Sequence, residues 1–311
     1  MILLADLGAT NARLCVTEDC NSYSLEANYS ITDFDSIEVL CNRYLKDKNL
    51  DALEKAVIGV AAPVIGDSVS FVNTDLHFSI KQLKKNLFPK GLSVVNDLAL
   101  QAHALSNLDT NDLSYIGDRK VSSGPKILVS PGTGLGLAGI IGEEVVATEA
   151  GHINIPDKNF KPDFKMIVDR FISENKRVPT YEDFLSGKGI TYFYSTLSGD
   201  LDSRLTSEEI LLQRNDSFCQ HTIDLLNSLL ASYLRYVALV WGSYGGVFLS
   251  GSIINSLTLE DDYEEFRKVF EDSETMGKFL EQTPLAIVRL KDIGFAGGLR
   301  LAKQLKEWRT F

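Results

Sequence analysis

Apolar residues come in short bursts through the first third of the chain, with polar residues gathered between them. Ile2, Leu3, Leu4 and Ala5 run into Asp6, and beyond Gly8-Ala9-Thr10-Asn11 a second run, Leu14-Cys15-Val16, leads away. This predicts a hairpin of strands over 2–7 and 13–17, with a third strand over 22–30. Phe34, Ile37, Leu40, Cys41, Tyr44 and Leu45 recur at helical spacing and predict a helix over 35–48. The continuous run Val57-Ile58-Gly59-Val60-Ala61-Ala62 predicts a buried strand within 55–63. An amphipathic helix over 79–87, a strand over 92–95 and a helix over 98–106 complete the series.

After a polar connection over 107–124 the order restarts. Strands are predicted over 126–129, 135–141 and 144–149, with Ser130-Pro131-Gly132-Thr133-Gly134 between the first two. A mostly helical region over 164–241 follows, then a strand over 246–249 that runs into Ser250-Gly251-Ser252 and a further helix. A last strand (286–290) and a last helix (294–308) close the chain. Two strand–Gly/Thr–strand turns far apart in sequence predict two related halves. The small residues Ala296-Gly297-Gly298 suit close helix packing, and the final helix is expected to return to the first domain. The division is therefore 1–107 with 297–311 for a small α/β domain, and 108–296 for a large one.

Composition narrows the class. Hydrophobic content of 44% and charged content of 23% are those of a globular protein. A net charge of −11 argues against a surface made for nucleic acid or an anionic membrane. The four cysteines form no CxxC pair, which fits a reducing cytoplasm. The apolar start is short, has no basic lead and ends at Asp6, so no signal peptide is expected. The apolar stretch near 225–240 carries Asn227, Ser228, Ser232 and Arg235 and reads as a buried helix, not a membrane span.

Candidate chemistry clusters at the turns. A Gly/Thr hairpin turn presents backbone N–H groups and a hydroxyl, good donors to phosphate oxygens, while an adjacent Asp can hold Mg²⁺ directly or through water. Asp6, Gly8, Ala9, Thr10 and Asn11 form one such turn, and Gly132, Thr133 and Gly134 the other; an ordinary hairpin is the alternative for either alone. No Walker-A sequence is present. Asp97 follows an apolar strand and precedes a helix, where α/β sheets present functional groups, and where an Asp also serves as a helix N-cap. Asn96 can exchange hydrogen bonds with a sugar hydroxyl or with its own backbone. Glu149 and His152 form an E-x-x-H pair with no third metal ligand nearby. Glu182 lies in Thr180-Tyr181-Glu182-Asp183, which has the form of a helix cap. Asn73 is a polar loop residue, and Gly251 follows a buried strand.

Together, Asp6-Leu7-Gly8-Ala9-Thr10-Asn11-Ala12-Arg13, Val95-Asn96-Asp97-Leu98, Ser130-Pro131-Gly132-Thr133-Gly134-Leu135-Gly136, Glu149-Ala150-Gly151-His152 and Gly245-Gly246-Val247-Phe248-Leu249-Ser250-Gly251 make the chain resemble the bacterial glucokinases over nearly its whole length. That family belongs to the actin-like, sugar-kinase and heat-shock-chaperone ATPase superfamily. The resemblance implies two ribonuclease-H-like α/β domains flanking a central cleft. It implies transfer of the γ-phosphoryl of ATP to the 6-hydroxyl of glucose, with Asp97 as catalytic base and Mg²⁺ held by Asp6, through water. It places Asn73, Asn96, Asp97, Glu149, His152 and Glu182 on the sugar. The two turns fall on the phosphates, and Gly251 on the adenosine side. A cytoplasmic enzyme, commonly a homodimer among relatives, acting on glucose with no nucleic acid or membrane partner, is what this implies. This chain departs from the family pattern at three places: Ala9 stands where relatives have a second glycine, Thr148 and Ala150 where they have Gly, and Leu76 or His77 where they commonly have an aromatic near the sugar. The alternatives are a kinase of another hexose on the same fold and a non-catalytic sugar sensor. The related amino-sugar kinases carry a Cys-rich zinc loop, but no cysteine lies between Cys41 and Cys219 here.

Overall fold

The computed structural model describes residues 1–8, 10–71, 76–156, 161–259 and 263–307. The chain divides into two compact units, 1–108 with 290–311, and 109–289. The first unit is built on β1 (Ile2–Leu7), β2 (Asn11–Thr17), β3 (Ser24–Ser30) and β4 (Lys55–Val60). A small antiparallel pair, β5 (Ser68–Ser70) and β6 (His77–Ser79), precedes β7 (Gly91–Asn96). The main sheet runs β3-β2-β1-β4-β7, antiparallel through the first three strands and parallel from β1 onward.

Strand alternation decides what each face carries. Leu3, Ala5 and Leu7 of β1 point into a core with Leu40 and Tyr44 of the helix Ile37–Asp47 and Leu83 of the helix Ile80–Asn86. Ile2 and Leu4 point the other way, toward Leu100 of the helix Asp97–Ala102 and Phe295 and Leu301 of the helix Ile293–Glu307. Asp6 shares this second face by the same period. Small residues let the helices close on it. A side chain at Gly59 would strike Leu100 Cδ2 at 2.6 Å, and one at Gly297 would reach the Leu100 carbonyl oxygen at 1.7 Å. The stretch that belongs to the first unit at the C-terminal end begins at Leu290, ahead of the small-residue run at 296–298.

The second unit repeats the sheet. Its strands are β8 (Leu113–Tyr115), β9 (Lys126–Pro131), β10 (Leu135–Ile141), β11 (Glu144–Thr148), β12 (Gly246–Leu249) and β13 (Leu285–Val288). The order β11-β10-β9-β12-β13-β8 reproduces the first sheet strand for strand, and β8 adds one antiparallel edge. β8 lies inside the segment expected as plain connection, which corrects that expectation; Leu113-Ser114-Tyr115 is too short to show a period. The helix Ser217–Trp241 is the one helix among the described residues long and apolar enough to cross a membrane. It buries Leu226, Leu230, Tyr233 and Leu234 in the core of this unit, with Phe184, Phe193 and Ile254. This mixed α/β architecture is the actin-like ATPase fold. All four cysteines are buried and free.

Candidate functional site

In the first unit the hairpin between β1 and β2 closes with Gly8 N–H donating to the Asn11 carbonyl at 2.9 Å, and Ile31 N–H donates to the Thr10 carbonyl at 2.9 Å. Thr10 and Asn11 are exposed. Among the described residues, a Cβ built on Gly8 would meet the Asn11 carbonyl oxygen, at 3.4 Å, and nothing closer. Ala9 and Asn73 lie outside the described residues.

Asp6 sits directly opposite Arg13 in the β1–β2 register. Burial pushes its carboxyl up to about 6, against the opposing pull of the Arg13 charge. Gly294, in the first turn of the helix Ile293–Glu307, backs onto it: a Cβ there would lie 2.5 Å from Asp6 Oδ2. Arg13 is held in turn by Glu26 at 2.9 Å and by an ion pair with Asp292. Asp292 also accepts from the Tyr23 hydroxyl at 2.8 Å, and the Arg13 guanidinium stacks 4.7 Å from the Phe295 ring centre. Sequence reading missed this set of Arg13, Tyr23, Glu26, Asp292 and Gly294. Counting back from the hairpin turn places Arg13 opposite Asp6; nothing local points to Asp292.

At the end of β7, the residue that caps the following helix is Asn96. Its Oδ1 accepts from Leu98 N–H at 3.0 Å and Ala99 N–H at 3.2 Å, and its Nδ2 reaches the Ala62 carbonyl at 3.5 Å. Such a cap is worth about 1 kcal/mol. Asp97 begins the helix, half-buried, with Oδ1 accepting from Leu98 N–H at 2.8 Å. The capping role open to either residue is thus taken mainly by Asn96.

In the second unit the turn between β9 and β10 closes with Gly132 N–H donating to the Gly134 carbonyl at 2.8 Å. Gly187 N–H braces it from the Gly132 carbonyl at 2.9 Å. Thr133 is exposed, and among the described residues a Cβ on Gly132 would meet nothing within 4 Å. Gly251 differs. Its φ of 103° and the close Pro131 carbonyl (3.0 Å from a built Cβ) demand glycine whatever is bound.

Glu149, His152 and Glu182 come together beside this turn. Glu149 follows β11, His152 ends the short helix Ala150–His152, and Glu182 lies in the first turn of the helix Tyr181–Phe184. Thr180 and Asp183 cap that helix reciprocally, and Arg177 clamps Asp183 with two 2.7 Å bonds. His152 Nε2 lies 3.9 Å from Glu149 Oε2, and its Nδ1 lies 3.7 Å from Glu182 Oε1. Both distances exceed a hydrogen bond, so the three groups converge without consuming one another's capacity. Glu182 Oε2 accepts from Leu135 N–H, at the start of β10 just past the turn, at 2.9 Å. Among the described residues no three His, Cys, Asp or Glu side chains are grouped to hold a metal ion.

A Glucokinase family model matches residues 3–305. A glucokinase from Helicobacter acinonychis is 32% identical, across 97% of this chain and 96% of that protein. The crystal structure of a glucokinase from an Antarctic psychrotroph, 25% identical, superposes with a TM-score of 0.82 over 97% of this chain and 98% of that one. A glucokinase from Balamuthia mandrillaris in complex with glucose has the same fold, with a TM-score of 0.81 at 19% identity over 97% of this chain and 93% of that one.

Proposed function

The chain belongs to the glucokinase family, and on that premise we propose that it transfers the γ-phosphoryl of ATP to the 6-hydroxyl of glucose, yielding glucose 6-phosphate and ADP. The observation that carries this reading is the convergence of Glu149, His152 and Glu182 beside the Gly132–Gly134 turn, where among the described residues a side-chain volume at Gly132 stands empty.

Each group has a task. Glu149, His152 and Glu182 bind and orient sugar hydroxyls, which both donate and accept. Asp97 accepts the proton of the 6-hydroxyl as that oxygen bonds to the γ-phosphorus and the bond to the ADP oxygen breaks. Asn96 fixes the start of the helix that carries Asp97, so its capping bonds set where the base stands. The open turns at Gly8 and Gly132 admit phosphate oxygens close to the backbone, where a side chain would stand in the way.

Mg²⁺ fits the same frame. Asp6 offers one carboxylate beside the first turn, and a Mg²⁺ site needs only one or two, since phosphates and waters supply the rest. When bound, the ion neutralises phosphate charge that develops during transfer. Burial sets the Asp6 carboxyl high and the Arg13 charge opposes it, with Glu26 and Asp292 holding Arg13 in place. The reading places the enzyme in the cytoplasm, where both substrates are found.

The test is a coupled assay of purified protein with Mg-ATP against a panel of hexoses. Glucose-dependent ADP release with formation of the 6-phosphate is the expected result. Turnover confined to another hexose would move the substrate and keep the chemistry. No sugar-dependent ADP release across the panel would overturn the proposal.

A further inference from the structure

Gly134 belongs to the turn read as phosphate-binding, and Glu182 to the set read as sugar-binding, yet the two occupy adjoining space. A Cβ built on Gly134 would lie 2.6 Å from Glu182 Oε2 and 3.2 Å from its Cδ. The same Oε2 accepts from Leu135 N–H at 2.9 Å, while Oε1 stands 3.7 Å from His152 Nδ1. One carboxylate thus rests on the turn with one oxygen and faces the sugar set with the other.

The backbone at 134 does not itself require glycine, because its φ lies outside the left-handed region. A Cβ on Gly132, two residues earlier, would meet nothing within 4 Å among the described residues, so the two glycines serve different ends. The main chain around Glu182 is pinned by the Thr180–Asp183 cap, the Arg177 clamp and the Gly187–Gly132 hydrogen bond. A side chain at 134 would therefore be accommodated by the flexible end of Glu182, the softest group in contact with it.

We propose that Gly134 is a positioning residue for the sugar: its missing side chain seats the Glu182 carboxylate, so glucose affinity is set partly from within the nucleotide turn. The proposal rests on the glucokinase reading above. It makes Glu182 a shared part of the two ligand sites, since displacing it from Leu135 alters the turn and displacing it from His152 alters the sugar set.

Glucose binding is measured by calorimetry on nucleotide-free protein, for the wild type, Gly134→Ala, Glu182→Ala and the double variant. Gly134→Ala is expected to weaken glucose about tenfold alone and to change it less than about twofold on the Glu182→Ala background, the non-additivity of residues acting through one contact. Unchanged glucose affinity in Gly134→Ala, or an equal loss on both backgrounds, would overturn the proposal. Amide exchange of Leu135 gives a readout that needs no Gly134 variant. Glucose is expected to slow it in the wild type and to leave it unchanged in Glu182→Ala, while Glu182→Gln, which keeps an acceptor oxygen, retains the protection. Exchange indifferent to glucose in the wild type, with glucose bound, would also sink the idea. A wild-type protein that binds no glucose would instead remove the glucokinase reading itself, and the proposal with it.

Discussion

The two turns, Gly8–Asn11 and Gly132–Gly134, stand at the same place in two sheets of the same strand order, but their neighbours differ in charge. Two residues before its glycine the first turn has Asp6, paired across the hairpin with Arg13. The second has Ser130, paired with Gly136. The fifth strands differ in the same sense: β7 leads into Asn96-Asp97, whereas β13 leads into Arg289. The elements that back the turns also differ. Gly294 of the last helix stands behind the first, and Glu182 and Gly187 from the helical region stand beside the second. A repeated sheet supplies a repeated turn, and what differs is the set of side chains each unit packs around it. On this reading the first unit carries the acids for proton and metal, and the second carries the sugar-binding groups.

The sharpest way to break this division is to remove the base. Asp97→Ala is expected to lower kcat about a thousandfold, within the range of a lost general base, while glucose binding by calorimetry persists. Near-normal turnover would leave the first unit without the assigned role.

Next comes Asp6→Asn, expected to cut kcat about a hundredfold while stabilising the fold. The sign follows from the raised carboxyl. Between about pH 4 and pH 6 the folded protein holds a proton that the unfolded chain has released, so stability falls as pH rises through that window. Asn carries no such penalty. In metal-free buffer the variant should gain up to about 3 kcal/mol over the wild type at pH 7, and little at pH 4, in denaturant titrations. A variant no more stable at pH 7 would show that Arg13 already cancels the cost of burying Asp6.

The smallest effect tests the likeness of the turns. Gly8→Ala and Gly132→Ala should each raise KM for ATP about tenfold with the melting temperature little changed, because among the described residues a Cβ on Gly132 meets nothing within 4 Å and one on Gly8 meets the Asn11 carbonyl oxygen at 3.4 Å, an ordinary contact. A rise in only one would show that the repeat is structural at the other.

Much of the frame was legible because β1, β4, β9 and β12 are apolar bursts with turn residues at their ends. β8 and the β5–β6 pair escaped because three-residue strands carry no period and gain their order from neighbours. The site was legible as residue types and as a family resemblance, less so as geometry. Asn96 and Asp97 are both good caps at one junction, and only the hydrogen bonds assign the role mainly to Asn96. Glu182 could be read as part of a helix cap, yet its side chain leaves that cap for Leu135, a contact across many residues that no local pattern encodes. The Arg13–Asp292 pair is more distant still.

The discontinuity of the first unit has a bearing on the order of synthesis. Residues 290–307 leave the ribosome after all of 109–289, so β1 and β2 must wait for Asp292, Gly294 and Phe295 through most of translation. At roughly 5–20 residues per second that wait lasts on the order of ten seconds or more. During it the helix-covered face of the first sheet, with Ile2, Leu4 and Asp6, stays open to water and to chaperones, and a nascent chain halted before Leu290 would lack the Asp292 and Gly294 contacts that enclose Asp6 and hold Arg13.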